Sequence, residues 1–148
     1  MSSRRGLVTL LLPLIVSACF PFPHRHLKRP AVAFTVSAIS GDHLANAHVR
    51  LYGGILVGSS IRWRTPVNLD ARGSGSVDAQ REWHWFAVLL PDGEAPWRWA
   101  WCADAPGFRR KGADMARAPH DTVRISLIPG SGPPCSDSVH SLYDVARE

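Results

Sequence analysis

Beyond residue 30 the chain alternates between apolar and polar positions. AVAFTVSAI (31–39) sets Val32, Phe34 and Val36 on one side of an extended segment, the two-residue period of a β-strand. NAHVRLYGG follows, with Val49 and Leu51 alternating against His48, Arg50 and Tyr52, which predicts a half-buried strand. IRWR predicts a strand fragment that breaks at Pro66, and Asn68 to Val77 is turn-rich and then extended. REWHWFAVLL and WRWAWC flank PDGEAP, whose Gly and Pro predict a hairpin with a loop longer than two residues. DTVRISLIPG alternates most clearly, with Val123, Ile125 and Leu127 set against Thr122, Arg124 and Ser126. Gly41-Asp42 and Gly53-Gly54 read as turn punctuation, and ADAPGFRRKG as a loop or edge segment. Only the tail changes period: SDSVHSLYDVARE places Val139, Leu142, Tyr143 and Ala146 at helical spacing, with Ser136 or Asp137 as N-cap. The prediction is an all-β domain, an antiparallel β-sandwich of about seven short strands with a short C-terminal helix.

The N-terminus follows a different rule. Arg4-Arg5 precede an apolar run from Leu7 to Val16, and small residues come next. This is the layout of a secretory signal, too short for a spanning helix, and it is set aside from the fold. Val16-Ser17-Ala18-Cys19 resembles the bacterial lipobox, in which the cysteine becomes the lipidated N-terminus after cleavage. That resemblance implies a signal peptide over 1–18, two or three acyl chains on Cys19 and stable membrane anchoring. Phe20, in place of the aspartate that retains such proteins in the inner membrane, implies an outer-membrane lipoprotein facing the periplasm. Residues 19–30 then read as a lipidated, proline-rich tether whose Arg25, Lys28 and Arg29 lie near anionic headgroups. His24 and His26 on that tether have no third ligand nearby and are not read as a metal site. The domain proper is expected over 31–148.

With Cys19 given to lipid, Cys102 and Cys135 form an even pair in an oxidising compartment, and a disulfide between them is expected. Closing a loop of roughly thirty residues stabilises a fold by ~3–4 kcal/mol on a loop-entropy estimate. Two buried thiols are the other reading.

The six tryptophans raise the main functional question. Trp97, Trp99 and Trp101 share one face of their strand, and Trp83 and Trp85 share one face of the preceding one. If those strands pair, five indoles form one patch. It either fills the core or seats the terminal helix, or it is a solvent-facing platform for peptidoglycan or lipopolysaccharide sugars. Arg98 and Cys102 lie on the opposite face. A disulfide packed inward turns the indoles outward, but it also turns Arg98 into the core, where an unpartnered charge is rare.

The formal net charge of the whole chain is +5, and removing Arg4 and Arg5 with the signal lowers it. What remains is scattered, unlike the basic stripe of a nucleic-acid binder. There is no nucleophile elbow, zinc-protease helix or phosphate loop, and Glu82, Glu94 and Glu148 make no carboxylate pair. No catalytic residue, metal or cofactor is expected.

A family resemblance covers about Pro30 to Gly130. Gly41, Leu44, Ala45, Ala47, Val49 and Leu51 echo the opening phrase of carboxypeptidase-regulatory-like domains, which have a transthyretin-like (prealbumin-like) sandwich related in architecture to the Ig-like one. Leu69-Asp70-Ala71-Arg72-Gly73 echoes the family's turn, and Trp101-Cys102 with Gly107-Phe108 its later strand and turn. His43 and Asn46 stand where the family has proline and glycine. The resemblance implies a non-catalytic spacer, stabiliser or binding module, with no catalytic residues to carry over. The expectation is a membrane-anchored accessory or structural module of the cell envelope. A glycan-binding module and a lipoprotein subunit of an envelope secretion machine are the alternatives.

Overall fold

The computed structural model of the chain describes residues 22–55, 60–86, 97–115, 122–136 and 141–146. The expected leader, Cys19, the cap at Asp137 and the helical position Val139 lie outside the described residues. Among the described residues, nine strands and one short helix follow in order: β1 (Phe22–Arg29), β2 (Val32–Ala38), β3 (His48–Ile55), β4 (Ile61–Val67), β5 (Ser74–Val77), β6 (Gln80–Phe86), β7 (Trp97–Asp104), β8 (Lys111–Met115), β9 (Val123–Leu127) and α1 (Leu142–Ala146). The all-β expectation holds.

The chain divides into two compact units, Met1–His26 with Glu82–Ala95 and Leu27–Arg81 with Pro96–Glu148. The described part of the first is a ribbon in which β1 pairs with β6. The segment read as a tether is therefore a paired strand from Phe22 onward. The second unit holds two sheets, ordered β5-β2-β9 and β4-β3-β7-β8.

The inner faces of those two sheets form the main core. Val32, Phe34 and Val36 of β2 and Ile125 and Leu127 of β9 meet Val49 and Leu51 of β3, Val67 of β4 and Trp99 and Trp101 of β7. The alternation predicted for β2, β3 and β9 thus points its apolar side inward. β2 and β9 run parallel, pairing Phe34 with Val123 and Ala38 with Leu127. This parallel pair sits in an otherwise antiparallel sandwich, because two strands so far apart in sequence are not bound by hairpin geometry.

Two further expectations change. Pro66 does not break β4, which continues to Val67. As the edge strand next to β3, β4 tolerates a residue with no N–H to donate. Among the described residues, the two tryptophan-rich strands do not pair with each other as the predicted hairpin would have them. β6 pairs with β1, while β7 lies between β3 and β8. Register with β3 sets Gly53 opposite Trp99 and Leu51 opposite Trp101, and a side chain at Gly53 would run into the Trp63 ring. The loop of that expected hairpin lies outside the described residues.

Candidate functional site

The other face of the four-stranded sheet carries the polar residues of β3 and β7. His48 stands opposite Asp104, Arg50 opposite Cys102 and Tyr52 opposite Ala100, so all six share one face. Residues 134–136 cross that face as a strap. Cys135 is bonded to Cys102, with Sγ–Sγ 1.98 Å and Cα–Cα 5.9 Å. Its N–H donates to Asp104 Oδ2 at 2.6 Å, and its carbonyl accepts from Arg50 Nη1 at 2.8 Å. The Tyr52 hydroxyl donates to the Ser136 carbonyl at 3.3 Å. Arg110 Nη1 reaches the Pro134 carbonyl at 3.4 Å.

Burial explains why this face is polar. Backbone groups of an irregular segment laid on a sheet need partners once water is removed. Asp104 is only 8% exposed, and it supplies such a partner. Its other oxygen lies 3.3 Å from Nδ1 of the exposed His48, a contact that becomes an ion pair when the imidazole is protonated. Past the disulfide the face turns apolar, and Leu142 and Val145 of α1 pack with Tyr52, Ala100 and Cys102. Gly112 of β8 matters here. A side chain at that position would run into the Val145 carbonyl, so glycine lets α1 sit down on the sheet.

Beside the strap lies a cleft of about 650 Å³, lined by His48, Arg50, Asp104, Phe108, Ser131 and Pro134 among others. Gly107, at φ 82°, turns the chain so that Phe108 N–H reaches the Ala105 carbonyl and Gly130 N–H reaches that of Gly107. The cleft offers a donor, an acceptor and an aromatic wall to a small polar ligand. Its Arg50 and Asp104 already hold the strap.

The tryptophans separate. Trp99 and Trp101 are 7% and 6% exposed and belong to the sandwich core, so both indoles face the core and not solvent. Trp97 is half-buried against the same core. Trp99 Nε1 donates to the Lys28 carbonyl at 2.9 Å, which satisfies the one polar atom of its ring. Among the described residues β6 and β7 lie in different sheets, so the strand pairing on which a single patch of five indoles depended is not found there. Trp83 is 63% exposed on the ribbon, and the side chain of Trp85 lies outside the described residues. The disulfide faces away from the sandwich core, yet the indoles are not left outside. Both faces of β7 are covered, which the two-way choice posed by the sequence did not include. Arg98 lies beyond the covered stretch and pairs with Asp114 at 3.2 Å.

Sequence reasoning missed Arg50, Tyr52 and Asp104. The available signal was register: any strand bearing a bridged cysteine must show the same face to the cysteine's chain neighbours. One carboxylate elsewhere has a shifted equilibrium. Asp70 Oδ1 accepts N–H groups of Ser74 at 2.9 Å and Arg72 at 2.8 Å, which lowers its pKa from 3.8. Among the described residues, no group of three or more His, Cys, Asp or Glu gathers as a metal site.

Set against family models, curated proteins and solved structures, the chain matches none.

Proposed function

We propose that this chain is a lipid-anchored module of the bacterial cell envelope, held at the periplasmic face of the outer membrane through Cys19. Its sandwich works without catalysis, as an accessory or structural part that presents surface to a neighbouring envelope component. The carrying observation is the run Leu7–Val16 ending in Val16-Ser17-Ala18-Cys19, the order that lipoprotein processing requires. The bridge between Cys102 and Cys135 supports it, because it leaves Cys19 as the one cysteine outside the bond. A disulfide also suits an oxidising compartment. The polar groups on the strap face are engaged in positioning backbone, which agrees with a structural use of that face. The test is metabolic labelling with a palmitate analogue, followed by intact mass of the purified protein. Label on the wild type, its loss in Cys19→Ser and a mass starting at an acylated Cys19 are expected. An unlabelled chain with residues 1–18 still attached would overturn the proposal.

A further inference from the structure

The ribbon formed by β1 and β6 carries the most exposed tryptophan described, Trp83 at 63%. The Arg25 guanidinium sits over its ring, 5.0 Å from the centroid. Both side chains are exposed, and their stacking shows that they project from the same face of the ribbon. A ring held against a guanidinium fixes the plane of the cation, leaving its edge free to meet phosphate oxygens. An indole beside a basic residue is also the pairing found at headgroup level, where one end is apolar and the other wet.

Chain length adds a second constraint. β1 begins at Phe22, three residues after Cys19. At no more than ~3.6 Å per residue, that spans about 11 Å. Given the lipid anchor proposed above, on which this inference rests, the start of the ribbon lies close to a Debye length of ~8–10 Å from the lipid surface. Paired strands cannot stretch away from the anchor as a loose tether would.

We propose that the β1–β6 ribbon docks on the anionic membrane surface that holds the anchor, with the Trp83 indole at headgroup level and Arg25 pairing with lipid phosphate. The anchor and the ribbon together then hold the start of the chain at the membrane in two ways, where the acyl chains alone would hold it in one.

The acylated chain is to be reconstituted into vesicles of phosphatidylglycerol and phosphatidylethanolamine, or of phosphatidylcholine alone, each with brominated acyl chains that quench tryptophan emission. Quenching is expected in the anionic vesicles, and it should disappear in Trp83→Phe and weaken in Arg25→Gln and at high salt. Equal quenching of wild type and Trp83→Phe, or of wild type in both lipids, overturns docking. Circular dichroism of both variants should match the wild type, which separates docking from misfolding. If mass analysis finds no acyl chain, the anchor fails independently, and flotation of the same processed protein with phosphatidylglycerol vesicles decides the ribbon. Co-flotation that drops about fivefold in Arg25→Gln and also falls in Trp83→Phe supports docking. Flotation indifferent to both substitutions overturns it.

Discussion

On one side of β7, Trp99, Trp101 and Ala103 meet the apolar faces of the opposite sheet. On the other, Ala100 and Cys102 meet Tyr52, Cys135, Leu142 and Val145. The first side is closed by area: a buried indole removes about 200 Å² from water, worth at most ~5 kcal/mol at ~25 cal/mol per Å². The second side has a strap with no ladder of its own and a helix of five residues, a length that is marginal in isolation. It is held by a covalent bond, by hydrogen bonds from Arg50, Tyr52 and to Asp104, and by two aliphatic side chains. The lesson is that one strand can be buried on both faces by unlike means. Redox conditions reach only the second.

The comparison breaks most severely at Trp101. Trp101→Ala leaves a large cavity between two sheets and is expected to cost ~3–5 kcal/mol, read by urea denaturation under oxidising conditions. A loss below about 1 kcal/mol would mean that the indole face is not the main source of stability. Next comes the bridge. Cys102→Ala combined with Cys135→Ala reopens a loop of sequence separation 33, with an expected cost of about 3–4 kcal/mol. The sharper readout is hydrogen exchange. Amide protection at position 135 should fall in the double variant, while that of Leu51 and Ile125 falls only as far as global stability does. Equal loss at all three sites would merge the two faces into one cooperative unit.

How much of this was legible depended on whether a residue's partner is local in sequence. β9 was plain because Ile125 and Leu127 are buried while Arg124 and Ser126 are exposed, a clean two-residue period. Counting cysteines paired Cys102 with Cys135, as the structure has them. The period of β7 placed its tryptophans on one face but could not say what covered either face. From Trp99 to Asp104 every residue is buried, so alternation carries no inside or outside there. Arg50 and Tyr52 read as solvent-facing because their partners, Cys135 and Ser136, lie more than eighty residues further along. Phe22–Arg29 read as a tether because its prolines favour extension, and its partner β6 begins fifty-one residues after β1 ends. The parallel pairing of β2 and β9 was hidden for the same reason.

The smallest effect sharpens the comparison from outside β7. Asp70 opens the turn leading into β5, where Gly73 adopts φ 67° and its carbonyl accepts the Val36 N–H of β2. This turn supports the sheet that closes the indole face. The N–H groups of Ser74 and Arg72 favour the charged carboxylate, so the folded-state pKa lies below its ordinary value of 3.8. A lowered folded pKa means that the unfolded chain binds the proton more readily. The stabilisation is therefore complete above the unfolded value and is lost as pH falls through the folded one. Asp70→Asn keeps an acceptor oxygen but removes the charge, so the difference between wild type and variant isolates this group from every other carboxylate. At neutral pH the wild type should melt slightly higher, and the two melting temperatures should converge as the solution is taken below the ordinary carboxylate range. A gap that persists at the acid end would assign the turn's contribution to geometry instead of charge. A gap that widens there would reverse the sign, and with it the claim that these two amides hold an ionised side chain.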